Sequence, residues 1–308
     1  MLKFIRQWRL PIAMVIGLLG ARWTLHLGGL MPPLIFMMLL FTFSNIEIKD
    51  LRIQKIHWVM LLCQAILPII VFFVLSPINK TLALATMICT IAPAATSSAV
   101  VTHKLGGSAA ILSSFTLVSN ILTAIAVSVL FPLLQDQKEV VSFWLPFQKI
   151  AQNLFLLLIL PFLTSLVLRS TLKPVHSYLA RNAKMSFYLW MIALAIVSGR
   201  TYYAMIHSSI APTLLIQILI AALLVCLGQF GLGKTLGKYI GRHHIDQNRF
   251  IINGGQMIGQ KNTILAIWMA QTFLDHPHGM GAIIAFGAGS YVLWQNIVNG
   301  IQLARVEK

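Results

Sequence analysis

Acidic residues are nearly missing from this chain, with seven Asp and Glu against 23 Lys and Arg in 308 residues. The seven, Glu47, Asp50, Asp136, Glu139, Asp246, Asp275 and Glu307, fall in loops, at span ends or in the tail. Aspartyl proteolysis inside a membrane is thereby excluded, and no His-Glu-x-x-His pattern offers a metal site. Cysteine is equally scarce. Cys63, Cys89 and Cys226 lie in apolar runs; an odd number so placed cannot form a disulfide framework, and they read as small buried hydrophobes. Charged residues make up 10% of the chain, against about 25% in an average soluble domain, which excludes an ordinary cytosolic enzyme. The longest polar connections, about 135–146 and 232–248, are too short for a soluble domain. With no nucleophile and base to pair, no enzymatic activity is expected.

What is there is apolar: 58% of residues, against roughly 45–50% in soluble domains. Charges sit in short clusters between apolar stretches, each long enough or nearly so to cross a core of about 30 Å at about 1.5 Å per residue. Ten spans are expected, at about 11–28, 31–46, 56–76, 81–103, 108–134, 147–169, 185–205, 210–231, 249–274 and 279–302. The chain therefore reads as an all-α polytopic membrane protein embedded in a lipid bilayer. Residues 1–9 look like the basic end of a signal peptide, but the run behind them holds Arg22 and lacks a small-x-small cleavage site. They are read as leading into a retained first helix.

A formal charge of +16 would ordinarily suggest nucleic acid, but its distribution argues otherwise. With the N-terminus cytoplasmic, 17 basic residues fall on that side, and the other side receives Lys80, Lys138 and Lys149. Arg22, Arg200 and Lys261 lie within spans. Short cytoplasmic loops carry the excess of Lys and Arg, so both termini are expected in the cytoplasm of a cell-membrane protein. Arg22 and Arg200, near the outer ends of their spans, read as snorkelling side chains; the alternative is anion attraction at an outer vestibule with His26 and His207. Gly228-Gln-Phe-Gly-Leu-Gly-Lys234-Thr235 fits the P-loop pattern. It ends an apolar helix with no preceding strand, so ATP is not an expected partner.

Two spans contain residues that a lipid-facing helix avoids. The fourth carries Pro93 followed by Ala94-Ala-Thr96-Ser97-Ser98-Ala99. Proline removes a backbone donor and clashes with the preceding turn, and broken backbone at this depth is tolerated only inside protein or beside water. A simple proline kink with a small-residue helix contact is the other reading. The ninth reads Asn253-Gly-Gly-Gln256-Met-Ile-Gly-Gln260-Lys261-Asn262-Thr263. A lysine at a helix centre costs about 2.5–3.5 kcal/mol on insertion scales, so this stretch must face a polar cavity or protein. Five spans per half would invert the second half, 140–308, relative to the first, 1–139, as in many secondary transporters. Leu61-Leu-Cys63-Gln64 and Leu224-Val-Cys226-Leu-Gly-Gln229 echo each other faintly.

The Pro93 to Ala99 run, Gln64-Ala-Ile-Leu-Pro68 and the Gln256 to Asn262 segment resemble the bile acid/sodium symporter family. The resemblance implies two inverted five-helix repeats, a panel domain (spans one, two, six and seven) and a core domain (spans three to five and eight to ten). Broken fourth and ninth helices would cross near mid-membrane. It would put a first sodium site on Ser98, Ala99, Leu112, Thr116 and Gln256, and a second on Gln64, Gln256, Gln260 and the backbone near Met257. Ala99 stands where the family has Asn, Leu112 where it has a hydroxyl, and neutral Gln256 where it has an acid. Fewer charged ligands weaken a hard cation site, so sodium coupling is expected to be weak or absent; no other cofactor or metal is expected. Lys261 stands where the family commonly has Asn, and its ammonium would either take the place of bound cation in the core, making transport sodium-independent or coupled to the lysine's proton, or face an anionic substrate. Pro93, Thr96, Ser97, Asn262 and Thr263 would shape the break and cavity, with Ser44 and Asn45 on the panel side. The expected function is secondary transport of a small organic anion by alternating access. The alternatives are sodium-independent export of a metabolite or toxic oxyanion, and a non-transporting membrane sensor or scaffold.

Overall fold

The computed structural model describes residues 9–46, 51–134, 143–207, 211–274 and 280–306. Among these, regular structure is helical, and seven helical segments are long and apolar enough to cross a membrane. They are Ala21–Ser44, Lys55–Leu75, Ala109–Leu134, Trp144–Thr171, Met185–Ile206, Pro212–Ile240 and Met280–Val306. Multi-pass membrane architecture follows from that. Of the acids, Asp246 alone is within the described residues; Lys3, Arg6, Lys49, Lys138 and Lys308 also lie outside them.

The first expected span is a jointed element: α1 (Arg9–Leu19), α2 (Ala21–Thr24) and a 3-10 segment (Leu25–Leu30), leading into α3 (Met31–Ser44). Next come α4 (Lys55–Leu75), the short α5 (Lys80–Ile91) and α6 (Ser98–Lys104), and the long α7 (Ala109–Leu134). The sixth expected span is α8 (Trp144–Leu154), a π-turn (Phe155–Ile159) and α9 (Leu160–Thr171). A nine-residue helix that no apolar window predicts, α10 (Lys173–Arg181), precedes α11 (Met185–Ile206). The rest are α12 (Pro212–Ile240), α13 (Gln247–Gly259), α14 (Thr263–Phe273) and α15 (Met280–Val306).

The eighth expected span stopped at 231, but α12 continues through Lys234 and Lys238 to Ile240. The continuation is held by close packing on α13. A side chain at Gly233 would collide with the Gly254 carbonyl, and one at Gly237 with that of Phe250. Gly233, the last glycine of the P-loop-like motif, thus belongs with Gly237 to a helix-packing stripe of small residues four apart, the device by which membrane helices approach closely, whereas Gly228 and Gly231 face open space. Continuous helix from Pro212 to Ile240 leaves no loop there to cradle a phosphate.

Most buried apolar side chains form one core cluster around α5, α14 and α15, including Met87, Ile88, Leu265, Met269 and Tyr291. α5 and α14 are short for a membrane crossing, at 12 and 11 residues, and nearly every residue in them is buried. Being wrapped by other helices is what permits their ends to lie at membrane depth.

Candidate functional site

Pro93 has no N–H and biases Ala92 toward extended backbone; Ala92 has φ −55° and ψ 142°, and α5 stops there. On the other side, Gln260 (φ −97°, ψ 100°) and Asn262 (φ −77°, ψ 82°) separate α13 from α14. The two breaks meet. Ala94 and Lys261 form an isolated antiparallel bridge, with Ala95 N–H donating to the Gln260 carbonyl at 2.9 Å and Asn262 N–H to that of Pro93 at 2.8 Å. The simple-kink reading of Pro93 is therefore set aside: the helix is interrupted, and its freed backbone is paired across the crossing.

The N–H groups of the two bridged residues are each taken by a side chain from the second helix after the break, the long one beyond the short half-helix. Ala94 N–H donates to Ser119 Oγ on α7 at 3.0 Å, and Lys261 N–H donates to Gln295 Oε1 on α15 at 2.9 Å. The last carbonyls of α5, which have no partner within their own helix, are likewise supplied from three directions. Gln229 Nε2 on α12 reaches the Cys89 oxygen at 3.4 Å, Lys261 Nζ the Thr90 oxygen at 2.9 Å, and Thr123 Oγ1 on α7 the Ile91 oxygen at 3.0 Å. At the end of α13, the Tyr291 hydroxyl donates to the Gly259 carbonyl at 2.8 Å and accepts from Gln229 Nε2 at 2.9 Å. Asn262 caps α14 by accepting Leu265 N–H at 3.2 Å.

Lys261 is 1% exposed. A cation buried this deeply needs compensation, and among the described residues no carboxylate supplies it. The negative end of the α5 dipole does so in part: the ammonium sits on a terminal carbonyl, where a helix concentrates roughly half a negative charge. Of the two sequence readings for this lysine, the geometry places its ammonium in the core, bonded to backbone.

A cavity of about 1080 Å³ opens beside the crossing. Met38, Thr42 and Asn45 of α3 and its end, with Ser186, Phe187 and Trp190 of α11, form one wall; Thr96, Ser97, Gln260, Lys261 and Asn262 form the floor. His103, Lys104 and Lys184 stand at its exposed rim. Asn45, Thr96, Ser97, Ala99, Gln260, Lys261 and Asn262 thus line one space. Ser44 does not: its hydroxyl turns away to Ser165 Oγ on α9 at 3.3 Å. Pro93 and Thr263 are buried behind the floor.

The positions assigned to cations by resemblance are engaged otherwise. Leu112 is wholly buried in an apolar cluster with Ala94, Phe115 and Met257, and Ala99 packs against it. Ser98 Oγ donates to the Ala95 carbonyl at 2.6 Å and Thr116 Oγ1 to that of Leu112 at 2.9 Å. Gln64 forms a closed network on α7, accepting from Ser119 Oγ at 2.7 Å and donating to Thr123 Oγ1 at 2.9 Å. Gln256 Nε2 donates to Asn299 Oδ1 at 2.9 Å, and Gln260 Nε2 to Ser97 Oγ at 3.1 Å. The Oε1 atoms of both glutamines are buried without a protein donor. At Ala99 and Leu112 the first set therefore presents methyl groups where the family has oxygens, leaving the Ser98 and Thr116 hydroxyls and the Gln256 amide, and the second presents neutral amides beside a resident lysine.

Ser119, Thr123, Gln229, Tyr291, Gln295 and Asn299 were not anticipated. They lie among several scattered polar residues in long, mostly apolar helices, and spacing alone does not tell which of them will meet a break.

A family model described as the sodium bile acid symporter family matches residues 3–206. No curated protein matches the chain.

Proposed function

Because the chain belongs to the sodium bile acid symporter family, we propose that it is a secondary transporter of a small organic anion that works by alternating access without a bound sodium ion. The observation that carries this reading is Lys261, whose ammonium rests on the Thr90 carbonyl at the end of α5, behind the cavity floor. In secondary transporters, the C-terminal ends of broken half-helices are where coupling cations are held. Here a covalently attached cation occupies such an end. The reading is supported at both sets of cation positions: Ala99 and Leu112 bring no side-chain oxygen to the first, and neither set contains a carboxylate.

The panel would comprise α1 to α3, α8, α9 and α11, and the core α4 to α7 and α12 to α15. The cavity between α3, α11 and the crossing is then the substrate space. Two inverted repeats are supported by the matched roles of Ser119 and Gln295 on the bridged residues. Gln64 and Gln229, the pair in the faint sequence echo, likewise each support a helix end at the crossing. An anionic substrate suits a cavity with Lys104 and Lys184 at its rim and, among the described residues, no carboxylate in its lining. Asn262 Nδ2, buried without a partner, adds a free donor at the start of α14. With the basic rim cytoplasmic by the charge asymmetry, this conformation faces inward and both termini are cytoplasmic.

The test is flux of radiolabelled small carboxylates into liposomes, with sodium or choline as the sole external cation. The expected result is equal flux in both and loss of flux in Lys261→Ala. Sodium-dependent flux would overturn the sodium-free reading, and unchanged flux in the variant would remove Lys261 from the mechanism.

A further inference from the structure

Between Glu139 and Asp246 the chain contains no acidic residue. That stretch includes α10, which joins α9 to α11, so that Arg169, Lys173, Arg181 and Lys184 lie on α10 and the ends of the helices it connects. Lys173, Arg181 and Lys184 are exposed. On the same short helix and the residue before it, Leu172, Val175 and Tyr178 are exposed at 53%, 44% and 61%. At about 100° per residue Val175 and Tyr178 share an arc with Leu179, while Lys173 and Arg181 fall on the opposite arc. Leu179 is buried and packs with Leu40 and Phe41 of α3 and Leu168 of α9.

We propose that α10 and its flanks are a binding site for the headgroup of an anionic phospholipid. The occupant must be amphipathic, because a soluble phosphate would satisfy Lys173 and Arg181 but leave Val175 and Tyr178 in water. A short helix with a basic face and an apolar face lies in the membrane interface, its strength of attachment set by both. Basic groups within a Debye length of an anionic leaflet are attracted to it. Burial, and after it the nearby Arg169 guanidinium, hold His176 below the usual histidine range, so His176 leaves the positive charge of the site to its arginine and lysine neighbours at neutral pH. Because Leu179 ties α10 to α3 and α9, a lipid held here pins the panel at a fixed depth while the core moves. That consequence rests on the transport reading; the binding itself does not.

The experiment is native mass spectrometry of the full chain with phosphatidylglycerol and phosphatidylcholine added at equal concentration. Preferential retention of phosphatidylglycerol is expected, falling roughly tenfold or more in Lys173→Gln/Arg181→Gln. The same fall is expected in Lys173→Met/Arg181→Met, which keeps the apolar stems. Lys238→Gln/Arg242→Gln, at the basic end of α12, should leave retention unchanged. Equal retention of the two lipids, an undiminished signal in the α10 variants, or an equal fall in the α12 control would overturn the proposal. So would displacement by millimolar glycerol 1-phosphate, which would mark a soluble-phosphate site. These readouts require no transport, so they stand or fall separately from the flux assay.

Discussion

Replacing Ser119 by Ala removes one hydroxyl that serves both sides of the first break. Its oxygen accepts Ala94 N–H at 3.0 Å and its hydrogen goes to Gln64 Oε1 at 2.7 Å. Ser119 is 0% exposed, so the variant leaves a backbone donor and an amide oxygen buried together without partners. Each such orphan costs about 1–3 kcal/mol, whereas interhelical hydrogen bonds in membranes average about 0.6 kcal/mol and reach about 1.7. Two orphans at the lower end of the first range put the loss at about 2–3 kcal/mol. The control is Ser128→Ala, about two and a half turns further along α7 and on its opposite side. Its hydroxyl is also buried but donates at 2.7 Å to Ala124, four residues back in the same helix. That carbonyl belongs to the helix ladder, so the control should lose less than about 1 kcal/mol. Intrinsic tryptophan fluorescence during heating in detergent, at one scan rate for all samples because unfolding at this size is kinetically controlled, compares the two. At about 2 °C per kcal/mol for a chain of this length, Ser119→Ala should melt about 4–6 °C below the parent and Ser128→Ala within about 2 °C of it. Equal shifts in the two variants would refute the argument that the break is held by side chains from α7.

Three further outcomes follow from the same geometry. Tyr291→Phe strands the Gly259 carbonyl and leaves Gln229 Nε2 with the Cys89 carbonyl as its remaining acceptor, and should lower the melting temperature about half as much as Ser119→Ala; a neutral result would refute the matched support of the two breaks. Restoring an acid with Gln256→Glu should produce no saturable, sodium-specific rise in melting temperature over potassium or choline at equal ionic strength, since Ala99 and Leu112 still offer no oxygen side chain. A sodium-specific rise in that variant would show that the remaining amides suffice. Gly231→Ala meets nothing within 4 Å and should stabilise α12 by up to about 1 kcal/mol, whereas Gly233→Ala drives its methyl into the Gly254 carbonyl and should destabilise by about 1–3 kcal/mol. The same sign for both, read by thermal melting, would dispose of the packing-stripe explanation.

The crossing was legible because its residues conflict with their surroundings. Pro93 in an apolar helix, and Lys261 among glycines and amides in another, each announce backbone or charge that hydrocarbon cannot accommodate. The multi-pass character was readable on another ground, since mean composition over twenty residues is a strong signal, and seven segments among the described residues are long and apolar enough to cross. The partners of the break were not. Ser119 and Gln295 occupy helices whose averages are apolar, and a hydroxyl there usually bonds its own preceding turn, as Thr116 and Ser128 do. α10 escaped because nine residues cannot register in a membrane-length window. The end of α12 was misjudged because Lys234 and Lys238 look like loop, although close glycine packing on α13 carries the helix past them. Ser44 was assigned to the cavity from its place in the chain, but rotation about the end of α3 sends it to Ser165.

The bridge between Ala94 and Lys261 also bears on how the chain is made. Pro93 O and Ala95 N–H find their partners on residues 262 and 260, roughly 170 residues later, which is about 10–30 s of synthesis at 5–20 residues per second. Until that segment is inserted, the first half holds unpaired backbone at membrane depth. During that interval it must borrow water, lipid headgroups or an insertion chaperone to satisfy those groups, and a ribosome stalled between Ala95 and Gln260 would leave a product the membrane cannot shelter. Truncations ending in this window should be degraded faster than the full chain, although each contains several complete hydrophobic helices.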